Sequence, residues 1–229
     1  LALARGAKSA QARVCDVRSL DEVTALSAAA DDLCGGVDLI INNAGVAVGG
    51  PVGETPIQDW RWIVDVNLWG VIHGCHVFAP RLAKQGRGGI LNVASAAGLL
   101  CPPALGPYNV TKAGVVALSE TLSAELSERG VAVTVLCPTF FRTNLMTTAR
   151  SVDEKARTRV DKLMSVARID AEGVARKALL ALEARELYAV PMADGRLMWR
   201  LKRLAPGSFY GLAGKLQARL KKRDRAEEA

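Results

Sequence analysis

The sequence predicts a doubly wound α/β domain, in which a parallel sheet carries helices on both faces and a basic helical extension follows. Three observations predict it. Short apolar runs alternate with longer helical stretches, which is the order of βαβ units. Those runs are continuously apolar, as in strands buried on both faces, and do not alternate with polar residues. The charge is also uneven: residues 196–229 hold 10 Lys/Arg against 3 Asp/Glu, whereas residues 1–195 hold 20 of each. A length of 229 residues with half of them hydrophobic and 23% charged suits one large globular domain. Residues 1–195 are read as that domain and residues 196–229 as its extension.

Each element has a local reason. Ser19-Leu20-Asp21-Glu22 has the pattern of a capping box and opens a helix that ends near Gly35-Gly36. Residues 37–42 are short and apolar, a buried strand. Gly and Pro punctuate residues 45–56. A long helix follows over 58–85, bent near Asn67 or Gly70. Residues 86–89 turn, and 90–93 form a second strand. A loop rich in Ala, Gly and Pro precedes a helix over 108–129. Residues 131–137 form a third strand, stopped by Pro138. A polar helical region over 144–164, a helix over 171–184 and a strand over 186–190 complete the domain. In such folds ligands bind beyond the carboxyl ends of the strands. That directs attention to 42–45, 94–95 and 138–143.

Tyr108 and Lys112 stand at i and i+4 of a helix, on one face. Ser95 follows a buried strand, and Asn42-Asn43-Ala44-Gly45 follows another. Asn67 lies inside the long helix, and Cys15-Asp16-Val17 closes an earlier apolar segment. A phenol with a reference pKa near ~10 is a poor base at neutral pH, and an ammonium one turn away favours its ionised form. Tyr108 then serves as general base toward an alcohol or general acid toward a carbonyl. Ser95 is placed to hydrogen-bond the reacting oxygen.

Together these motifs resemble the short-chain dehydrogenase/reductase family over residues 15–190. The matches are N-N-A-G at 42–45, the helical Asn67, Ser95, Y-x-x-x-K at 108–112, and the stretch from Pro138 to Thr143. The resemblance implies NAD or NADP as cofactor and an alcohol or ketone as small-molecule substrate. It gives Lys112 a second role at the nicotinamide ribose. Asn67 would hold a water that links Lys112 to solvent. It assigns Asp16 and Val17 to the adenine ring, Asn43, Ala44 and Gly45 to the cofactor wall, and Pro138 and Thr143 to the nicotinamide end. Simpler alternatives are that Asn42 ties strands together and that Asp16 caps a loop. Other readings of the whole are an inactive relative serving as a binding or scaffold protein and a sugar-nucleotide epimerase. All four of Asn67, Ser95, Tyr108 and Lys112 weigh against a scaffold. Too little chain remains for an epimerase's substrate domain.

The resemblance also breaks in places. The family opens with a strand and a glycine-rich T-G-x-x-x-G-x-G turn whose following helix receives the pyrophosphate. Neither is present here, and only Lys8–Val14 separates Ala7 from Cys15, too few residues for a second strand and helix. The sequence starts at Leu1 and not at Met. These features lead us to expect omitted residues and an interruption of the chain between Gly6 and Gln11. NAD and NADP cannot be separated without the missing second strand. Thr139 stands where the family has glycine, and its side chain is expected to crowd the nicotinamide.

Other signals point to structure. His73 and His76 lie at i and i+3, but no carboxylate or third ligand accompanies them, so no metal is expected. Five scattered cysteines without a C-x-x-C pair suit a reducing cytoplasm. Trp60, Trp62 and Trp69 read as core or subunit packing. The helices over 58–85 and 108–129 carry surplus apolar surface, so a homodimer or homotetramer is expected. The neutral body gives no reason to expect nucleic acid. The loop Ala96–Pro107 together with Phe140, Phe141, Leu145 and Met146 implies a hydrophobic substrate. The extension is expected to pack on its own protein, burying Leu197, Trp199, Leu201 and Leu204. Peripheral contact with a membrane surface is the alternative.

Overall fold

Four parallel strands carry the fold in a computed structural model that describes residues 3–226. The first helix, α1 (Leu20–Cys34), starts where Ser19 Oγ accepts the Glu22 amide at 3.2 Å and stops at Gly35, whose φ of 72° lies in the left-handed region. The capping box is not reciprocal, because Glu22 turns outward to accept the Asp16 amide. Strand β1 (Leu39–Asn42) leads through a loop to α2 (Ile57–Val64). A π-turn over Asp65–Trp69 then joins α2 to α3 (Gly70–Gln85), so the expected bend lies at Asn67. Strand β2 (Gly88–Val93) is followed by a short helix, α4 (Ala96–Leu100), inside the segment expected to be loop. Helix α5 (Gly106–Leu126) begins earlier than its Tyr-Lys pair, with Pro107 in the first turn where its missing N–H costs nothing.

Strand β3 (Val131–Leu136) is buried throughout. The polar region beyond it forms a 3₁₀ turn and α6 (Glu154–Ser165). Helix α7 (Ala171–Glu183) precedes β4, which is only Tyr188–Ala189. The strand is shorter than the apolar run suggests because its ladder holds two residue pairs, Val135 with Tyr188 and Leu136 with Ala189. The strand order is β1-β2-β3-β4, with Asn42 beside Asn92 and Ile90 beside Val133. Ile90, Val133 and Val135 point to α3 and α5, burying Val71, Cys75, Leu82, Val115 and Leu122. Leu91 and Leu136 point to the other face, against Val174 and Ala178 of α7.

Beside β1 lies the difference from expectation. Residues 7–14 form an exposed segment with neither helix nor strand. Among the described residues no strand pairs with the free side of β1, and Leu39 and Ile41 are exposed there.

The extension forms α8 (Ala193–Leu204) and α9 (Pro206–Ala226). The expectation of burial fails for three of its four residues. Leu197, Leu201 and Leu204 are 58%, 49% and 83% exposed, and only Trp199 packs inward, 4.8 Å from the Tyr188 ring. The reason is rotational: Gly195, Trp199 and Lys202 share the inward face of α8, which turns the leucines to the opposite side.

Candidate active site

The carboxyl ends of β1, β2 and β3 converge on Lys112. Its side chain is almost fully buried in α5, and Nζ donates to the Val93 carbonyl at the end of β2, 2.8 Å away. Burial without a paired carboxylate draws the ammonium down to about 8, against a smaller opposing effect of Cys137. The Cys137 thiol, buried beside it, is pushed up to about 12. Tyr108 lies one turn earlier, with Lys112 Nζ 5.8 Å from its ring centre. The phenol pKa is raised, because desolvation outweighs the lowering by its hydrogen bond to Ser95. Desolvation is the largest cause of that shift, and the Lys112 ammonium is not among its causes.

Ser95, two residues beyond β2, is extended and caps α4, its Oγ accepting the Ala97 amide at 3.1 Å. Helix α4 reaches α5 only because residue 98 is glycine. A Cβ there would stand 2.6 Å from the Lys112 carbonyl carbon. Asn109 Nδ2 donates to the Pro102 carbonyl at 2.7 Å, tying down the loop before Tyr108.

Asn67 is completely buried on the π-turn and clamps the loop after β1. Its Oδ1 accepts the Val46 amide at 2.8 Å, and its Nδ2 donates to the Val46 carbonyl at 2.9 Å and to Thr111 Oγ1 at 3.4 Å. Gly45 precedes this clamp. A Cβ there would lie 3.4 Å from Asn67 Oδ1 and 3.6 Å from Lys112 Nζ, so glycine leaves a cradle in front of the lysine. Asn43, Ala44 and Gly45 are exposed around that cradle.

Asn42 has the structural part: its Nδ2 donates to Asn92 Oδ1 at 2.8 Å, and Asn92 Nδ2 donates to Ser119 Oγ at 3.0 Å, which links β1, β2 and α5. Asp16 is surface-exposed and bound by Arg18 through its backbone amide and guanidinium, which holds its carboxyl at about 2. Val17 packs against Gly70, and its carbonyl meets His73 Nδ1 at 2.9 Å. Pro138 is buried, its carbonyl accepting the Ala96 amide, and Thr143 is half-buried with Oγ1 accepting the Leu145 amide. Thr139 corrects the sequence expectation: its hydroxyl reaches Asp194 at 3.4 Å and its methyl packs on Gly195, so the side chain faces α8.

Residues that composition did not mark are Gly98, Asn92, Ser119 and Lys202. Lys202 of α8 donates to the Leu99 carbonyl at 2.5 Å, and Tyr210 donates to the Leu100 carbonyl at 3.2 Å. The extension thereby holds the end of α4.

These residues match one end of a dinucleotide and not the other. The nicotinamide-ribose end fits: the glycine cradle fronts a buried ammonium and Ser95 adjoins Tyr108. The pyrophosphate end has no counterpart among the described residues, since the segment before α1 holds no strand and no strand-to-helix turn.

The family profile described as short chain dehydrogenase matches residues 2–154. A D-beta-hydroxybutyrate dehydrogenase from Rhizobium meliloti is 34% identical over 144 residues, covering 63% of this chain and 55% of that protein. The Dehydrogenase/reductase SDR family member 7B from Xenopus laevis is 31% identical over 212 residues, covering 91% of this chain and 64% of its own length. A solved short chain dehydrogenase/reductase from Burkholderia phymatum, in complex with NAD, superposes with a TM-score of 0.81 at 33% identity, covering 89% of this chain and 78% of that one. The chain thus spans little more than half of the first of these relatives.

Proposed function

The chain belongs to the short-chain dehydrogenase/reductase family, and from that premise we propose that it is an NAD(P)-dependent oxidoreductase acting on an alcohol or carbonyl. The observation that carries the reading is the convergence of Gly45, Asn67, Ser95, Tyr108 and Lys112 at the ends of β1 and β2. A bound dinucleotide supplies or accepts the hydride. The chain's own residues do the rest. Lys112 and the cradle at Gly45 would hold the nicotinamide ribose, with Asn43 and Ala44 beside it and Thr143 at the amide. Asp16 and Val17 would meet the adenine ring. Ser95 donates a hydrogen bond to the substrate oxygen and holds it toward Tyr108. The phenol gives its proton to a carbonyl oxygen during reduction, and in the oxidation direction its phenolate form receives the proton of an alcohol. Asn67 fixes the loop that carries Gly45 and holds the water that connects Lys112 to solvent.

The substrate is read as a hydrophobic alcohol or ketone, because the loops that follow β2 and β3 carry apolar, half-buried Leu105, Leu145 and Met146 and exposed Phe140. The working unit is a homodimer or homotetramer in the cytoplasm, joined through the helices that bear exposed Trp69 and Val110. The extension meets a membrane surface peripherally. A panel of alcohols and ketones, assayed with each dinucleotide, tests the reading. Turnover of an apolar member supports it, and failure of every pair refutes it.

A further inference from the structure

We propose that α8 and α9 form a docking face for an anionic phospholipid bilayer. The inference deepens the peripheral role given to the extension and is independent of the hydride chemistry. Helix α8 has three sides. Gly195, Trp199 and Lys202 turn to the body, against Thr139, Tyr188 and the Leu99 carbonyl. Leu197, Leu201 and Leu204, at i, i+4 and i+7, form a stripe on the opposite side and are all exposed. At 100° per residue, Arg196, Arg200 and Arg203 fall together on one flank between the two. Helix α9 continues the character, with exposed Leu212 and Leu216 beside exposed Lys215 and Arg219.

The flank arginines open on a groove of about 620 Å³ between α7, β4 and α8. Lys177, Arg196, Arg200 and Arg203 line it with Trp199, and Glu186 is its one acid. Four cations around such a groove suit a phosphate headgroup, while the leucine stripe alongside suits the acyl boundary. The net charge of +7 in residues 196–229 beside a neutral body decides the occupant. An isologous contact with a second copy would set this basic face against itself. A nucleic acid would leave five exposed leucines unused. No helix among the described residues is long and apolar enough to cross a membrane, so the contact is interfacial.

The opposite side of the same helices grips the active-site approach. Lys202 holds the Leu99 carbonyl and Tyr210 the Leu100 carbonyl, a few residues before Tyr108. Docking would therefore place a lipid surface on the far side of the helices that hold the end of α4.

The test is co-sedimentation of the full chain with phosphatidylcholine vesicles, with and without phosphatidylglycerol. Binding is expected to require phosphatidylglycerol and to weaken as salt rises. Arg200→Ala with Arg203→Ala should weaken it about 25-fold, at about fivefold per basic residue. Leu197→Ser, Leu201→Ser and Leu204→Ser together should weaken it on the order of a hundredfold. Thermal unfolding should be unchanged in the leucine variant, whose side chains face outward, and Arg200→Ala alone, weakening binding about fivefold, is the control for the contact that Arg203 makes with the Trp199 ring. Equal binding to phosphatidylcholine alone, no binding to either vesicle, or wild-type binding by the variants would each overturn the proposal. Light scattering that shows the leucine variant dissociating a dimer, without vesicle binding by the parent, assigns the face to a second copy instead. No cofactor or turnover enters these readings, so they stand apart from the oxidoreductase assignment.

Discussion

Replacing Lys112 by methionine should make the protein more stable and less active. The side chain is 4% exposed and its one hydrogen bond in the structure is to the Val93 carbonyl. Burial takes its pKa from 10.5 to about 8. Each unit corresponds to about 1.4 kcal/mol, so keeping the charged form folded costs about 3 kcal/mol. That cost is present in full below pH 8, where lysine is charged in both states. It fades between about 8 and 10.5, because there the unfolded chain binds the proton that the folded chain has released. Methionine has similar length and no charge, but it leaves the Val93 carbonyl without its donor, which costs about 1 kcal/mol. The net expectation at pH 7 is about 2 kcal/mol of added stability, or a Tm higher by roughly 4–8 °C. Denaturant titration of both proteins at pH 7 and at about pH 10 measures it, and the gap should close for the most part at the higher pH. Turnover should fall with the lost ammonium. A Lys112→Met protein less stable than its parent at pH 7, or a gap indifferent to pH, would refute the reasoning.

Gly98→Ala drives a Cβ to 2.6 Å from the Lys112 carbonyl carbon and should cost about 1–3 kcal/mol, with a larger loss in kcat than in cofactor affinity, read by unfolding and steady-state kinetics. Asn67→Ala removes the partner of the half-buried Val46 amide and carbonyl, so a loss of about 1–3 kcal/mol and weakened dinucleotide binding are expected from calorimetry. Thr139→Gly should change kcat/KM by less than about threefold, because this side chain faces Asp194 and Gly195. Light scattering at micromolar concentration should find a dimer or tetramer, and a monomer would contradict the proposed assembly.

Much of this architecture is legible in the residues because several independent signals agree. The capping serine at 19, the glycine stops at 35 and 86, and the buried runs at 39–42, 88–93 and 131–136 each fix an element locally. The four proposed site residues are put forward from their spacing, and the fold brings them together at the ends of β1 and β2. Their surroundings are less so, since contacts across the chain set them. Nothing local marks Gly98 as the point where α4 meets α5, or Asn92 and Ser119 as the relay beneath Asn42. Spacing shows the charge beside Tyr108 but not the desolvation that raises its phenol. The outward leucines of α8 were misjudged for a related reason. Helical period shows that one face is apolar, but Gly195, Trp199 and Lys202 decide which face meets the body. Thr139 was judged by its place in the chain, while Asp194 and Gly195 receive its side chain.

The most direct measurement of the central claim compares Tyr108→Phe with the parent protein. It follows the change in reduced-nicotinamide absorbance with a substrate that the parent turns over, alongside dinucleotide binding by calorimetry. The phenol oxygen is the group that moves the proton, and the ring is retained, so kcat should fall on the order of 10²-fold or more with binding preserved. Near-parental turnover by Tyr108→Phe would contradict the account.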